Sequence, residues 1–231
     1  MRGFSILLVM LLTGCQSNHP NSKSEHVENK SESSQLLNYD KSDADYYSLV
    51  NLIREQAATA EDFNRLIKVY PLTSLYQPSN NAEQVSKLRS QTQMQNQQWQ
   101  ACLQTNRALL QQNYTSLTGH YGAAICATEL GNLETGQYHN GVLDGLIEAI
   151  WRTGDGKTPT TPLYITSAND LYAFVQLHQF VVVGQSLTYV NKLPIQVIKV
   201  HNPETNRTML WYFDVTPQFR RGVITELERS R

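Results

Sequence analysis

The sequence has no excess of charge of either sign and contains few cysteines. Its 231 residues carry 19 Lys and Arg against 20 Asp and Glu, so the formal net charge is −1. Without a basic field to neutralise phosphate groups, nucleic acid is not an expected partner. The three cysteines form no Cys-x-x-Cys pair, and the six histidines form no i, i+4 pair. No metal ion or other cofactor is therefore expected.

Long apolar runs are also missing. The most apolar segment, Phe4 to Leu12, spans nine residues and is interrupted by Ser5. A membrane-spanning helix needs ~20 such residues, whereas a short apolar run behind a basic Met1-Arg2 start is typical of a signal peptide. We therefore expect a signal peptide over residues 1–14. A mean hydropathy of −0.42 argues against a protein with several membrane spans.

The end of this segment indicates what kind of signal it is. Leu12-Thr13-Gly14-Cys15 resembles the lipobox of bacterial lipoproteins, in which the cysteine is lipidated and becomes the first mature residue. The resemblance implies acyl chains on Cys15 that hold the protein on a membrane of the cell envelope. Gln16 instead of Asp after the cysteine implies sorting to the outer membrane of a diderm host. The alternative is an ordinary secretory signal with a chance cysteine, although the A-x-A-like cleavage site of such signals is missing.

Residues 15–42 contain the lipidated cysteine and a polar segment rich in Ser, Asn, Glu and Lys. A segment with so few apolar residues cannot bury enough surface to offset the entropy that ordering would cost. We expect a disordered tether that holds the folded part away from the membrane.

Residues 43–153 show the apolar periodicity of amphipathic helices and form a predicted helical layer. The expected helices run from about Asp43 to Ala57, Ala60 to Tyr70, Ala82 to Gln112, Ser116 to Leu130 and Leu133 to Arg152. Thr59 to Asp62 is a capping signal for the second helix, and Pro71 ends it. Gly131-Asn132 ends the fourth. Paired antiparallel helices are analogous to tetratricopeptide repeats, although a period of about 34 residues is not present.

Residues 154–219 change from helical to strand periodicity. The expected elements are strands at 163–166, 181–183, 186–190, 193–200 and 208–215, and a helix from Asn169 to Gln179. Asn202 to Asn206 is a hairpin turn, and Met209, Trp211, Phe213 and Val215 form the face of the last strand that should be buried. The fold class is therefore α+β, with antiparallel helical hairpins before a small antiparallel sheet. Residues 220–231 are expected to form a C-terminal tail.

The two remaining cysteines are placed for a disulfide. Cys102 lies twelve residues before Tyr114, the centre of a predicted turn, and Cys126 lies twelve residues after it. In an antiparallel hairpin, positions equidistant from the turn lie at the same height, because both helices rise equally per residue. Export supplies an oxidising environment, so we predict a Cys102–Cys126 disulfide. The alternative is a pair of buried free cysteines that act as small hydrophobic residues.

Several short motifs of the second half together resemble an uncharacterised bacterial domain family whose members are mostly secreted proteins or lipoproteins. The motifs are Gly154 to Pro159, Gly184 to Leu187, Asn202 to Thr205 and Trp211 to Val215. The resemblance covers roughly Asp45 to Phe219. It implies no activity and no catalytic residues.

The candidate ligand-binding residues lie in a Gly-Asp-Gly loop. Gly156-Lys157-Thr158 is not a phosphate-binding loop, because Trp151 stands where that motif needs glycine and a helix precedes it instead of a strand. Gly154 is expected to cap the preceding helix, and the loop is expected to present Asp155 and Lys157 to a ligand.

A second group of candidate residues is His139, Asp144 and Glu148, although the two acidic residues are more typical of a solvated helix face. The sequence therefore favours a non-enzymatic envelope lipoprotein that binds a protein or peptide. The alternative is a hydrolase of envelope or extracellular polymers, with Asp155, Lys157 and Asp144 or Glu148 in its site.

Overall fold

The computed structural model describes residues 37–78 and 81–229. The predicted signal peptide, Cys15 and the tether as far as residue 36 lie outside the described residues. The described part is α+β, as predicted, because a helical half is followed by a four-stranded sheet and a last helix. Within this part, no helix is both long enough and apolar enough to cross a membrane.

The described helical half contains six α-helices and a short 3-10 helix at Tyr70–Leu72. They are α1 (Tyr39–Arg54), α2 (Ala60–Val69), α3 (Ala82–Gln95), α4 (Trp99–Gln112), α5 (Leu117–Glu129) and α6 (Leu133–Trp151). Helix α1 begins inside the segment expected to be tether, because the Asn38 side chain caps it by accepting a hydrogen bond from the Lys41 N–H (3.1 Å). The predicted capping signal of α2 is confirmed as a capping box between Thr59 and Asp62.

The single long helix expected from Ala82 to Gln112 is wrong, because the chain folds back on itself there. Between α3 and α4, Gln97 takes a positive φ of 55°, which ends the first helix. The Gln-rich middle of this segment has no apolar stripe that would hold one continuous helix against a core. Instead the two shorter helices pack together, and the Asn106 amide donates a hydrogen bond of 2.7 Å to the Ser90 hydroxyl.

The predicted disulfide is present between α4 and α5. The Cα atoms of Cys102 and Cys126 are 6.0 Å apart, within the ordinary range for disulfides, and both side chains are fully buried. Tyr114 lies in the turn between these helices, as predicted. The close approach of the helices depends on Gly122, since a Cβ atom there would overlap the amide group of Asn106.

The sheet contains β1 (Leu163–Tyr164), β2 (Val181–Val190), β3 (Leu193–Asn202) and β4 (Arg207–Asp214), in the order β1-β4-β3-β2. Strands β2, β3 and β4 are antiparallel, but β1 runs parallel to β4. The sheet is therefore mixed, and the prediction of a purely antiparallel sheet is wrong. The reason is the helix α7 (Ala168–Leu177) between β1 and β2, because a helical crossover returns the chain in the same direction.

The two short strands expected at 181–183 and 186–190 form one strand, β2. A β-bulge shifts its register against β3 between Val182 and Gly184, and the chain then continues in regular pairing to Val190. The extra residue of a bulge interrupts the alternation of side chains, so one bent strand has the sequence pattern of two.

Both hairpin turns of the sheet are tight. Asn191 and Lys192 connect β2 to β3 with positive φ values of 50° and 68°, as a two-residue hairpin turn requires. The turn between β3 and β4 is the predicted one, and the Asn202 side chain accepts hydrogen bonds of 2.9 Å from the N–H groups of Glu204 and Thr205.

Helix α7 covers one face of the sheet. Its Phe174 is fully buried, with its ring centroid 5.9 Å from that of Trp211 and 6.1 Å from that of Phe213. Trp211, Phe213 and Val215 are buried as predicted, whereas Met209 on the same strand face is 40 % exposed.

The last helix, α8 (Thr216–Arg229), occupies most of the segment expected to be a C-terminal tail. Its buried Arg221 donates hydrogen bonds to the carbonyl oxygens of Pro71 (3.1 Å) and Thr73 (2.5 Å) and to the Tyr39 hydroxyl (2.9 Å). A charged residue thus attaches α8 to the start of the fold.

Candidate functional site

The predicted binding loop is organised by its own acidic residue. One oxygen of Asp155, Oδ1, accepts hydrogen bonds from the Thr161 hydroxyl (2.6 Å) and the Lys157 N–H (3.0 Å). The hydroxyl of Thr161 and this N–H hold the pKa of Asp155 below its usual value. Both Asp155 and Lys157 are exposed. The Asp155 carboxylate therefore stabilises the conformation of the loop itself. Lys157 is the other charged residue of the loop.

The glycines of this loop have roles other than the expected helix cap. Helix α6 ends at Trp151, and Gly154 lies beyond its end against the carbonyl oxygens of Thr161 and Pro162. A Cβ atom at Gly154 would collide with that backbone, so close approach explains the glycine. Gly156 has a φ of 64°, which favours glycine for a different reason.

The second predicted group does not form a cluster, because its members lie on different faces of α6. A helix turns about 100° per residue, so Asp144 and Glu148 are about 140° and 180° around the axis from His139. His139 is buried, whereas Asp144 and Glu148 are exposed, and Glu148 pairs with Arg152 at 2.7 Å. No group of three or more His, Cys, Asp or Glu side chains within the described residues is arranged to hold a metal ion.

Three helix N-termini meet at a pair of acidic side chains that the sequence did not reveal, Glu83 and Asp170. Asp170 lies in the first turn of α7, is 1 % exposed and contacts the starts of two helices. Its Oδ1 accepts from the Leu117 N–H at the start of α5 (3.0 Å), and its Oδ2 accepts from the hydroxyls of Thr166 (3.0 Å) and Ser167 (2.9 Å). Asp170 thereby joins α5 to α7.

Glu83 makes the corresponding contacts from the first turn of α3. Its Oε1 accepts a hydrogen bond of 2.7 Å from the Ser116 hydroxyl, and its Oε2 accepts one of 3.4 Å from the Asn113 amide. The same Ser116 oxygen caps α5 by accepting from the Gly119 N–H (3.1 Å). Glu83, Asn113 and the Tyr70 ring border a cleft of about 200 Å³.

The environment of this pair disfavours ionisation. Burial and, to a smaller extent, the negative charge of Glu83 together raise the pKa of Asp170 to about 7, although its hydrogen bonds act in the opposite direction. Burial also raises the pKa of Glu83, which its hydrogen bonds from Ser116 and Asn113 oppose. The pair is therefore a candidate for proton exchange near neutral pH, with Glu83 as the member that borders the cleft.

A family model described as a domain of unknown function, DUF4919, matches residues 30–221. The chain belongs to the DUF4919 family. The match includes every segment that carried the sequence resemblance to an uncharacterised domain family, and it extends beyond Asp45 and Phe219 at both ends. No curated protein and no solved structure matches the chain.

Part of the DUF4919 acidic pair has a local sequence signal. Ser167-Ala168-Asn169-Asp170 has the Ser-x-x-Asp spacing of an N-terminal capping motif, and Asp170 N–H donates to the Ser167 hydroxyl (3.0 Å). That signal locates the start of α7. It does not indicate that Glu83, from a distant part of the chain, lies beside Asp170.

We predict that Asp170→Asn changes how the stability of the DUF4919 domain depends on pH. The carboxyl has its ordinary pKa of 3.8 in the unfolded chain and a pKa of about 7 in the folded chain. Its contribution to stability is therefore full at low pH and is lost as the pH rises from about 4 to about 7. The asparagine variant lacks this contribution and keeps an acceptor for the Leu117 N–H.

The measurement is urea unfolding of both proteins from pH 4.5 to 7.5. The stability of wild type relative to the variant should fall by more than about 1 kcal/mol over this range, since one pKa unit corresponds to about 1.4 kcal/mol. His120 and His139, whose pKa values burial lowers to about 3 and about 4, act in the opposite direction, but both proteins contain them. A difference that stays constant with pH would contradict the assignment.

Proposed function

We propose that this protein is an envelope lipoprotein, held on the outer membrane by lipid on Cys15, whose folded domain binds an extended peptide along β2. The observation that supports peptide binding is the outer edge of β2. The lipobox pattern at residues 12–15 supports the anchor, and the buried Cys102–Cys126 disulfide is consistent with an oxidising compartment such as the envelope.

Strand β2 lies at the edge of the sheet and is not protected by charge or proline. Its sequence, VVVGQSLTYV, contains neither Pro nor any charged residue over ten residues. Four of its large apolar side chains are 42 % to 60 % exposed, and they are Val181, Val183, Leu187 and Tyr189. Soluble proteins normally shield such an edge, because its unpaired N–H and C=O groups can pair with another strand. An edge left open in this way is suited to β-strand addition.

The register of the sheet indicates what kind of peptide would fit. The bulge at Val183 leaves a regular segment of seven residues, Gly184–Val190. In that segment Leu187 aligns with Gln196 of β3 and, through it, with Phe213 of β4. An added strand would place alternate side chains next to Leu187 and Tyr189 on that face. We therefore propose a peptide of about seven residues with apolar side chains at alternate positions.

A direct test uses a labelled seven-residue peptide in which Val and Thr alternate, with acetylated and amidated ends. Fluorescence anisotropy should show that the peptide binds to wild type and binds at least about tenfold more weakly to Leu187→Lys. The reason is that a lysine at this position removes the apolar contact between Leu187 and a side chain of the added strand. The control variant is Val223→Lys, on the exposed face of α8, where Val223 is 62 % exposed. It should bind the peptide as wild type does.

A second control is a peptide with proline at its centre, since proline removes a hydrogen-bond donor and disfavours strand pairing. The proposal is rejected if both peptides bind equally well, or if Leu187→Lys and Val223→Lys bind alike.

A hydrolase of envelope or extracellular polymers is the second candidate, and the raised pKa of Asp170 beside Glu83 is the observation that favours it. A carboxyl that stays protonated near neutral pH is suited to general acid catalysis. Glu83 would be the residue that reaches a substrate, because it borders the cleft of about 200 Å³ and Asp170 does not. The residues that the sequence suggested for a hydrolase site do not line this cleft; they are Asp155, Lys157, Asp144 and Glu148. Hydrolysis of peptidoglycan or polysaccharide that Glu83→Gln abolishes would favour this function over peptide binding.

A further inference from the structure

A second cleft lies among α1, α4 and the start of α6, and neither Glu83 nor β2 contributes to it. Its volume is about 560 Å³. The side chains that line it include Arg54, Arg107, Tyr114, Glu134, Tyr138 and His139. The cleft therefore combines two positive charges, one negative charge, two phenol groups and an imidazole.

The two arginines of this cleft are available to an anion. Within the described residues, the ion pairs shorter than 4.0 Å involve Arg65 and Arg152 instead. The guanidinium of Arg54 lies 5.2 Å from the centre of the Tyr114 ring. Arg107 is close enough to His139 for its charge to lower the pKa of that imidazole further. A guanidinium without a carboxylate partner is a strong site for carboxylate or phosphate oxygens.

The start of α6 opens into the same cleft and adds to the positive potential. The Asn132 side chain caps this 19-residue helix by accepting from the Thr135 N–H (3.1 Å), and both residues line the cleft. The N-terminus of a helix carries a partial positive charge that favours anions. Glu134 in the same turn opposes this potential, so the lining has one positive charge in excess.

Hydrogen bonds determine which nitrogen of His139 carries the proton. His120 is fully buried, and its Nε2 lies 3.0 Å from the Tyr114 carbonyl oxygen, which can only accept. Nε2 of His120 is therefore the donor, and Nδ1 of this neutral imidazole is an acceptor. Nδ1 of His139, 3.0 Å away, must donate to it.

This arrangement leaves the Nε2 lone pair of neutral His139 as an acceptor. His139 borders the cleft, so the lone pair suits a ligand that donates a hydrogen bond, such as one with a hydroxyl group. The hydroxyls of Tyr114 and Tyr138 hydrogen-bond to each other at the same wall. Guanidinium groups and an imidazole acceptor thus meet in one space.

We propose that this cleft binds a small organic anion that also carries hydroxyl groups, with Arg54 and Arg107 holding the anionic oxygens and His139 accepting from a hydroxyl. A hydroxylated carboxylate and a sugar phosphate both have this chemistry. The site does not depend on the peptide-binding edge, and either proposal stands without the other.

The test is isothermal titration calorimetry of the folded protein with four matched probes. Gluconate has a carboxylate and hydroxyls, hexanoate has the carboxylate only, glucose has hydroxyls only, and glucose 6-phosphate replaces the carboxylate by phosphate. We expect a dissociation constant of about 1 mM or lower for gluconate, glucose 6-phosphate or both. Hexanoate and glucose should each bind at least about tenfold more weakly, because each lacks one of the two recognition groups. If one of the two hydroxylated anions binds more tightly, its anionic group, carboxylate or phosphate, is the one that the cleft prefers.

Variants locate the binding. Arg107→Gln and Arg54→Gln should each weaken binding at least about tenfold, and Glu134→Gln should strengthen it several-fold by removing the opposing charge. The control is Arg65→Gln, whose arginine lies on α2 near Asp62 and should leave binding unchanged. Circular dichroism should show that all four variants fold. If neither hydroxylated anion binds, or if Arg107→Gln and Arg65→Gln bind alike, the proposal is wrong.

Discussion

Breaking the Cys102–Cys126 disulfide is expected to lower the free energy of unfolding by about 3.5 kcal/mol. The bond closes a loop across a sequence separation of 24 residues. In the chain-entropy model, a loop of that size restricts the unfolded chain by about this amount at 25 °C. Both cysteines are fully buried between α4 and α5, where Ser90 and Asn106 also lie. Loss of the bond leaves the contact of these two helices to packing alone.

Urea unfolding with and without reductant measures this effect. A Cys15→Ser background removes the third thiol, so that any response belongs to the α4–α5 pair. The oxidised protein should unfold at a higher urea concentration than the reduced one. The triple variant that also carries Cys102→Ser and Cys126→Ser should be insensitive to reductant. Equal midpoints for the oxidised and the reduced protein would show that the bond adds no stability.

Replacing Cys15 by serine is expected to abolish lipidation and to leave an unprocessed or mislocalised precursor. In the lipobox resemblance, acyl chains attach through this one sulfur, and serine offers no thiol for the thioether. Two or more acyl chains make a stable anchor, because each buried methylene contributes ~0.8 kcal/mol.

The experiment compares fractionation and palmitate labelling of wild type, Cys15→Ser and Cys102→Ser. Wild type and Cys102→Ser should label and sediment with membranes, whereas Cys15→Ser should stay unlabelled and be mislocalised or retained as a precursor. Labelling of Cys15→Ser at the wild-type level would show that the lipobox assignment is wrong.

Local signals in the sequence were sufficient for much of the helical half. The capping box of α2 and the stop at Gly131 depend on residues a few positions apart, and both are found as predicted. The disulfide was predictable because a hairpin converts equal distance from a turn into equal height. These features need no knowledge of distant parts of the chain.

The elements that were mispredicted depend on distant partners. The break between α3 and α4 is stabilised when the two helices pack together, which no local period reveals. Strand β1 is only two residues long and acquires its direction from pairing with β4. Helix α8 is held by Arg221 through hydrogen bonds to residues about 150 positions earlier. Apolar periodicity carries no information about contacts of this kind.

The sites follow the same rule. Asp155 and Lys157 are only two positions apart in the sequence, so their loop was predictable as a candidate site, but the Asp155 carboxylate accepts hydrogen bonds within the loop itself. Glu83 comes from α3 in the helical half and Asp170 comes from α7 in the sheet half, and folding alone brings them together. The open edge of β2 is a property of strand order, which the sequence of β2 does not contain.

Amide hydrogen exchange on β2 tests the central claim most directly. About half of the N–H groups between Val181 and Val190 point away from β3, because alternate residues of an edge strand direct their backbone groups outward. In the free protein these should exchange quickly. Adding the alternating Val-Thr peptide at saturation should protect these alternate amides and leave the amides of α8 unchanged. If peptide binds while β2 exchange stays the same and protection appears in the helical half, the peptide-binding edge is wrongly placed.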